Sequence, residues 1–257
     1  LKTVSAEILK ILKEKDKGIV SGTKAIKKML EELQLQVFAE ISMAAVGSWD
    51  AYYLPTLQQT IEAQIKNFTA KAKVEASGMM EDAWVYGQAL VDEPLAVAGI
   101  FFGMPDLSTS VLDTLKDFTL GKLSNVGDAA FDKIKGELTM GLLGGKTPQE
   151  VITAIGKNLS DPSIFKSIAS RAEAITKTEM GRVFSVATQR RMKQAAEYVP
   201  GLQKQWKHAG HPKKARPTHL TADGQKVLVN ERFNIGGEMM EHPRDPGAPL
   251  DEVINCG

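Results

Sequence analysis

Across the first third of the chain, apolar residues recur at helical spacing and almost nothing interrupts them. Ile19, Ile26, Met29, Leu30, Leu33, Val37, Phe38, Ile41 and Met43 follow a repeat of three and four that places them on one face of a helix. Pro55 interrupts the pattern, after the aromatic cluster Trp49, Tyr52 and Tyr53. A second helical run follows through Ile61, Ile65 and Phe68. Long amphipathic helices of this kind suit a bundle or an extended arm better than a catalytic α/β sheet. Further helices are expected over about 79–91 and 108–143, with a Pro- and Gly-bearing connection from Pro94 to Pro105.

A chain of 257 residues accommodates one large domain or two small ones. Its net charge of +1 gives no global sign of a nucleic-acid or membrane-surface binder. The one cysteine excludes an internal disulfide and fits a reducing compartment. The first residue is Leu1 rather than Met, so the expectation is a native start further upstream. The most apolar run, Leu95–Met104, is far short of the roughly 20 residues that a bilayer requires, and it reads as a buried connection. No basic-then-apolar secretory leader is seen.

Gly144-Gly145-Lys146-Thr147 imitates the end of a phosphate-binding loop, but Met140 stands where the first glycine is needed. A helix start fits better: Thr147 as cap, Pro148 at the first helical position, Glu150 closing a capping box. Asp161-Pro162 opens another helix that reaches about Tyr198, with an apolar stripe of Ile164, Ile168, Ala172, Ile175, Val183 and Val186. Glu179 projects into that stripe. A core-facing carboxylate needs a partner, and pairing with an arginine such as Arg216 is favoured over a catalytic acid or base. Residues 166–216 hold 12 Lys/Arg against 3 Asp/Glu, whereas the flanking parts are net acidic. Arg182, Arg190, Arg191, Lys193, Lys213 and Lys214 in this block are candidate contacts for phosphates or an acidic protein surface, with a solvated helix face as the favoured reading.

Beyond Pro200 the period changes. Asp223-Gly224 signals a hairpin turn, followed by Val227-Leu228-Val229 and then Phe233 and Ile235. All four histidines and the cysteine lie here: His208, His211, His219, His242 and Cys256. Zinc takes such ligands, but the spacing matches no standard finger. Histidines that cap turns and bond backbone are the favoured reading, with a structural zinc on His219 and Cys256 as the alternative.

The order of short motifs in this region resembles the phage Mu F-like family of minor head proteins, or phage head morphogenesis proteins. The likeness starts at Arg171-Ala172-Glu173-Ala174-Ile175-Thr176-Lys177-Thr178-Glu179. It continues through Trp206, Arg216-Pro217-Thr218-His219, Asp223-Gly224-Gln225, Phe233, Pro243-Arg244-Asp245-Pro246 and Ile254-Asn255-Cys256. Many members carry an Asp where this chain has Gly210-His211-Pro212, and often Gly where Arg244 stands. The family's closing Asn-Cys-x-Cys is cut after Gly257.

The expected fold is α+β, with a helical arm or bundle over residues 1–160 and a Mu F-like domain over 161–257 made of a long helix and a β-containing tail. The resemblance implies a structural minor capsid protein at the portal vertex of a tailed phage or prophage, acting in head assembly, DNA packaging or DNA delivery. It implies the portal protein as partner, with the major capsid protein and packaged DNA as further candidates, and a place in the virion after assembly in the host cytoplasm. No membrane association and no enzymatic activity are expected. The competing reading is a metal-assisted hydrolase or nuclease using His219, Asp223 and Glu179.

Overall fold

A computed structural model describes residues 2–47, 54–144, 146–160, 168–208 and 216–253. Trp49, Tyr52, Tyr53, Gly145, Asp161, Pro162, Ile164, Gly210–Lys214 and Ile254–Gly257 therefore lie outside the described residues. The architecture is α+β and mostly helical, as the sequence leads one to expect. Helices α1 (Lys2–Gly47), α2 (Leu54–Val97), α3 (Ser110–Leu143), α4 (Pro148–Ser160) and α5 (Ile168–Tyr198) come first. Strand β1 (Gln203–Gln205), helix α6 (Pro217–Ala222), strands β2 (Lys226–Leu228), β3 (Phe233–Ile235) and β4 (Glu238–Met240), and the short helix α7 (Leu250–Val253) follow. Among the described residues no helix is long and apolar enough to cross a membrane.

The chain divides into two compact units that interleave along the sequence. One comprises residues 20–78 and 116–176. Its interior is an aliphatic ladder: Ile26, Leu30, Leu33, Val37 and Ile41 from α1 meet Ile61, Ile65 and Phe68 from α2. Val126, Ala130, Ile134 and Leu138 of α3 join them, with Val151 and Ile155 of α4. Burying each large side chain stabilises by about 1.5–3 kcal/mol. Gly127 allows α3 to approach Thr69 closely, since a Cβ there would meet the threonine hydroxyl at 2.2 Å. Helix α4 starts as the capping-box pattern requires: the Thr147 backbone N–H donates to Glu150 at 2.7 Å, and the Glu150 N–H donates back to the Thr147 hydroxyl at 3.3 Å.

The other unit comprises the residues up to Ile19, Met79–Leu115 and the described residues from Lys177 onward. Met80, Ala83 and Trp84 of α2 pack with Leu112 of α3 and with Met180, Val183, Phe184 and Ala187 of α5. Helices α2 and α5 touch backbone to backbone at Gly87, where a Cβ would lie 2.6 Å from the Phe184 carbonyl oxygen. The Thr188 hydroxyl lies within hydrogen-bond distance of the Gly87 and Phe184 carbonyls. A second cluster joins Trp206, Ala222, Phe233, Ile235 and Met240.

Two local expectations change. The run after α2 is exposed rather than buried: Ala96 through Phe101 all face solvent. The turn at Asp223-Gly224 does not join two paired neighbours either. It follows α6, and β2 pairs antiparallel with the distant β1, placing Gln203 opposite Leu228. The tight hairpin is β3–β4, turning at Gly236 (φ 63°) and Gly237 (φ 102°). Two successive positive φ angles there are what a two-residue loop between twisted strands needs.

Candidate functional site

From Thr178 to Gln189 every residue of α5 is buried except the half-buried Val186. A helix enclosed on all sides is normally apolar, yet this one carries Thr178, Glu179, Arg182, Ser185, Thr188 and Gln189 inside. Such groups must find partners, because an unpaired polar group in the interior is costly. Glu179 pairs with Arg182 one turn on in the same helix, at 3% and 8% side-chain exposure. Arg182 also donates from Nε to the Arg244 carbonyl at 3.2 Å. Structural pairing was the favoured expectation for Glu179; the arginine observed in that role is Arg182. The Thr178 hydroxyl has no hydrogen-bond partner among the described residues.

Gln189 and Lys204 extend this polar interior into the strands. Gln189 donates to the Val229 carbonyl at 2.8 Å, and Lys204 donates to Gln189 Oε1 at 3.2 Å and to the Glu241 carbonyl at 2.8 Å. The ammonium also sits 5.1 Å from the centre of the Phe233 ring. Burial pushes the Lys204 pKa down to about 8. Glu241 holds Lys193 in an ion pair. Asp245 lies beneath the same loop, accepting from the backbone N–H groups of Glu241 at 2.7 Å and Gly247 at 2.9 Å. Burial opposes its charge, but those donors prevail and hold the carboxyl below its ordinary range. His242 is shifted down by burial, and its Nδ1 is 2.9 Å from the Pro243 carbonyl, which accepts.

Trp206 organises the motif residues of the tail. Its indole meets His219 edge-on at 5.7 Å and Phe233 at 5.3 Å. The buried His219 contacts Glu252 of α7 at 2.8 Å through Nε2, and the Thr218 hydroxyl donates to the same carboxylate at 3.3 Å. Asp223 ends α6 and accepts the His208 backbone N–H at 2.7 Å, a bond that holds its carboxyl below the usual range. The Gly224 N–H donates to the Trp206 carbonyl at 2.9 Å with φ 85°, so this turn prolongs the β1–β2 ladder. Gln225 exchanges two side-chain bonds with the backbone of Asn234. Pro246 is exposed and Arg216 half-buried.

The basic residues divide. Arg182 and Arg191 turn inward, the latter to Asp92 at 2.7 Å and the Pro105 carbonyl at 2.7 Å. Their charge is therefore spent inside the unit, because burying a cation demands a partner. Arg190 is exposed, Lys193 is engaged by Glu241, and Lys213 and Lys214 are not described. His219, Asp223 and Glu179 each serve a different partner. Among the described residues no three His, Cys, Asp or Glu side chains stand together to hold a metal, while Cys256 and Asn255 lie outside them. A small open hollow lined by Lys15, Met79, Asp82 and Tyr86 includes none of the motif residues. Nothing in the sequence signals that Lys204, one of the basic block, turns inward, since three-residue strands show too little alternation, and no local spacing marks its partners Gln189 and Glu241 or the Glu252 that meets His219.

No family model matches the chain. No solved structure matches it either. It is 30% identical over 135 residues to the NAD(+)--arginine ADP-ribosyltransferase EFV of Enterococcus faecalis (strain ATCC 700802 / V583). The shared stretch is 52% of this chain and 26% of that protein, so the chain spans about a quarter of its relative's length. This likeness overturns the expectation of a chain without enzymatic activity, because half of it is shared with a protein named for a transferase.

Proposed function

We propose that this chain is a Mu F-like minor head protein of a tailed phage or prophage, bound at the portal vertex and acting in head assembly, DNA packaging or DNA delivery. The observation that carries the reading is the convergence of the motif residues. Thr178, Glu179, Trp206, His219, Phe233 and Asp245, scattered over nearly 70 positions, are all buried within one unit. A motif string that specifies the interior of a module is the pattern expected of a fold-defining family signature. Supporting it, Arg244 has φ 60°, the left-handed region that favours glycine, at the position where members of that family often carry Gly.

The test is mass spectrometry of purified particles and head precursors from the strain that encodes the chain. The expected result is a low-copy component that co-purifies with the portal protein; its absence from both particles and precursors would sink the proposal. Electrostatic contact through Arg190 and Lys193 predicts binding that weakens with salt. Portal binding unchanged at about 1 M salt, with no DNA binding at low salt, would remove that part.

A second reading rests on the Enterococcus relative: ADP-ribosyl transfer from NAD+ to arginine. Incubation with NAD+ and a small guanidine acceptor should then release nicotinamide and leave ADP-ribose on the acceptor. A folded protein that releases none removes this reading.

A further inference from the structure

The segment Ala96-Val97-Ala98-Gly99-Ile100-Phe101 is the sharpest departure from ordinary surface chemistry in this unit. Six consecutive apolar residues face solvent, and Phe101 is 80% exposed. Single exposed apolar residues are normal, whereas a contiguous run marks a surface that something covers. The run is also held in place rather than left loose. Helix α2 closes in a Schellman motif, with the Ile100 N–H donating to the Leu95 carbonyl and the Gly99 N–H to that of Ala96, both at 2.9 Å. Gly99 supplies the positive φ, 75°, that this closure needs. Beyond the run, Phe102 stacks on Tyr198 of α5 at 5.1 Å, and the Arg191 guanidinium binds the Pro105 carbonyl. Phe101 is thus presented between two fixed points, so little conformational entropy is lost when it is covered.

The charge around it selects the kind of partner. From Val74 to Leu115 the chain contains seven Asp or Glu and no Lys or Arg. Asp92 shares the Arg191 guanidinium with the Pro105 carbonyl, which brings the acidic end of α2 beside this loop, and Glu93 and Asp106 are exposed on either side of the apolar run. Arg191 and Lys10, the latter 3.8 Å from Glu93 and also paired with Glu7, offset two of these four carboxylates and leave the flank net negative. Such a flank repels nucleic acid and anionic bilayers and complements a cationic rim.

We propose that the α2–α3 loop is the docking knob of this protein. Phe101, with Ile100 and Val97, enters an apolar socket rimmed by lysine or arginine on the portal protein. The inference rests on the head-protein reading and adds the surface that it uses. The test measures binding of the full chain and of its Phe101→Ala and Phe101→Asp variants to the portal protein of the same phage. Phe101 is 80% exposed, so both variants should melt close to the parent. The expected result is at least about 30-fold weaker binding for Phe101→Ala, the scale of an interface hot spot, and a larger loss for Phe101→Asp. Equal binding of parent and variants overturns the loop assignment and leaves the head-protein reading standing. No portal binding by the parent overturns both. Self-association of the parent that Phe101→Ala abolishes in light scattering would make a second copy the occupant, and Phe101-dependent sedimentation with phosphatidylcholine and phosphatidylserine vesicles would make it a bilayer. Either result overturns the portal assignment.

Discussion

The two compact units differ in what they bury beside their apolar clusters. The unit of residues 20–78 and 116–176 fills its centre with Leu, Ile and Val at helical spacing, and its ion pairs, such as Lys27 with Glu173, lie at partly exposed positions. The unit that includes Lys177 onward encloses Glu179, Arg182, Gln189, Lys204 and His219, and links them through carbonyls, carboxylates and one amide. An aliphatic interior tolerates changes of shape that keep its volume. A polar interior tolerates few, because each group removed strands another.

Removing one partner of the buried pair should expose that difference most strongly. Glu179→Ala leaves Arg182 charged and enclosed, and should cost about 3–5 kcal/mol in chemical denaturation. Glu179→Gln keeps the shape and an acceptor and should cost less; a variant with an unchanged melting temperature would refute the pairing role. Ile61→Ala in the aliphatic unit should cost about 2–5 kcal/mol, while Ile61→Leu should cost under about 1.5 kcal/mol. If Ile61→Leu proved as damaging as Glu179→Ala, the contrast between the units would collapse. Thr147→Ala removes the cap of α4 and should cost about 1 kcal/mol, read as a small fall in helix content and melting temperature.

A pH dependence confined to the polar unit adds a further test. The folded-state pKa of Lys204 is about 8, against an ordinary value of 10.5. Between those values the unfolded chain binds more protons than the folded one, so the stability owed to this group rises as pH climbs through that window. Lys204→Met cannot titrate. The melting temperature of the parent relative to that variant should therefore increase from pH 8 to pH 10, and a flat difference would show that the ammonium is not desolvated.

Legibility in the sequence followed the same division. The ladder of Ile26, Leu30, Leu33, Val37 and Ile41 was readable because periodicity reports burial directly when the interior is apolar. The cap at Thr147 was readable because its chemistry is local. In α5 the apolar stripe located one face, but the enclosure of the opposite faces depends on residues more than 80 positions away, such as Asp92 and Gly87 against Arg191 and Thr188. Arginines in a basic block look solvated in a linear sequence, and only the fold reveals that Arg182 and Arg191 turn inward. The motif residues of the tail were located, but their partners Glu252, Gln189 and Lys204 follow no local spacing rule. The loop at Phe101 departs from expectation because a short apolar run is normally buried, and nothing nearby signals the Schellman closure that presents it to solvent except Gly99.

The interleaving of the units also has a bearing on synthesis. A ribosome delivers the chain from its N-terminus, and everything that the aliphatic unit requires has been made by residue 176. The polar unit needs the first nineteen residues, the stretch from Met79 to Leu115 and the described residues beyond Lys177 together. Its pairings span nearly the whole chain, which slows folding. Met80, Trp84 and Leu112 lack the α5 side of their cluster until that helix emerges. From the synthesis of Met80 until α5 emerges the nascent chain carries this open apolar face, an interval in which a chaperone is useful and aggregation competes with folding.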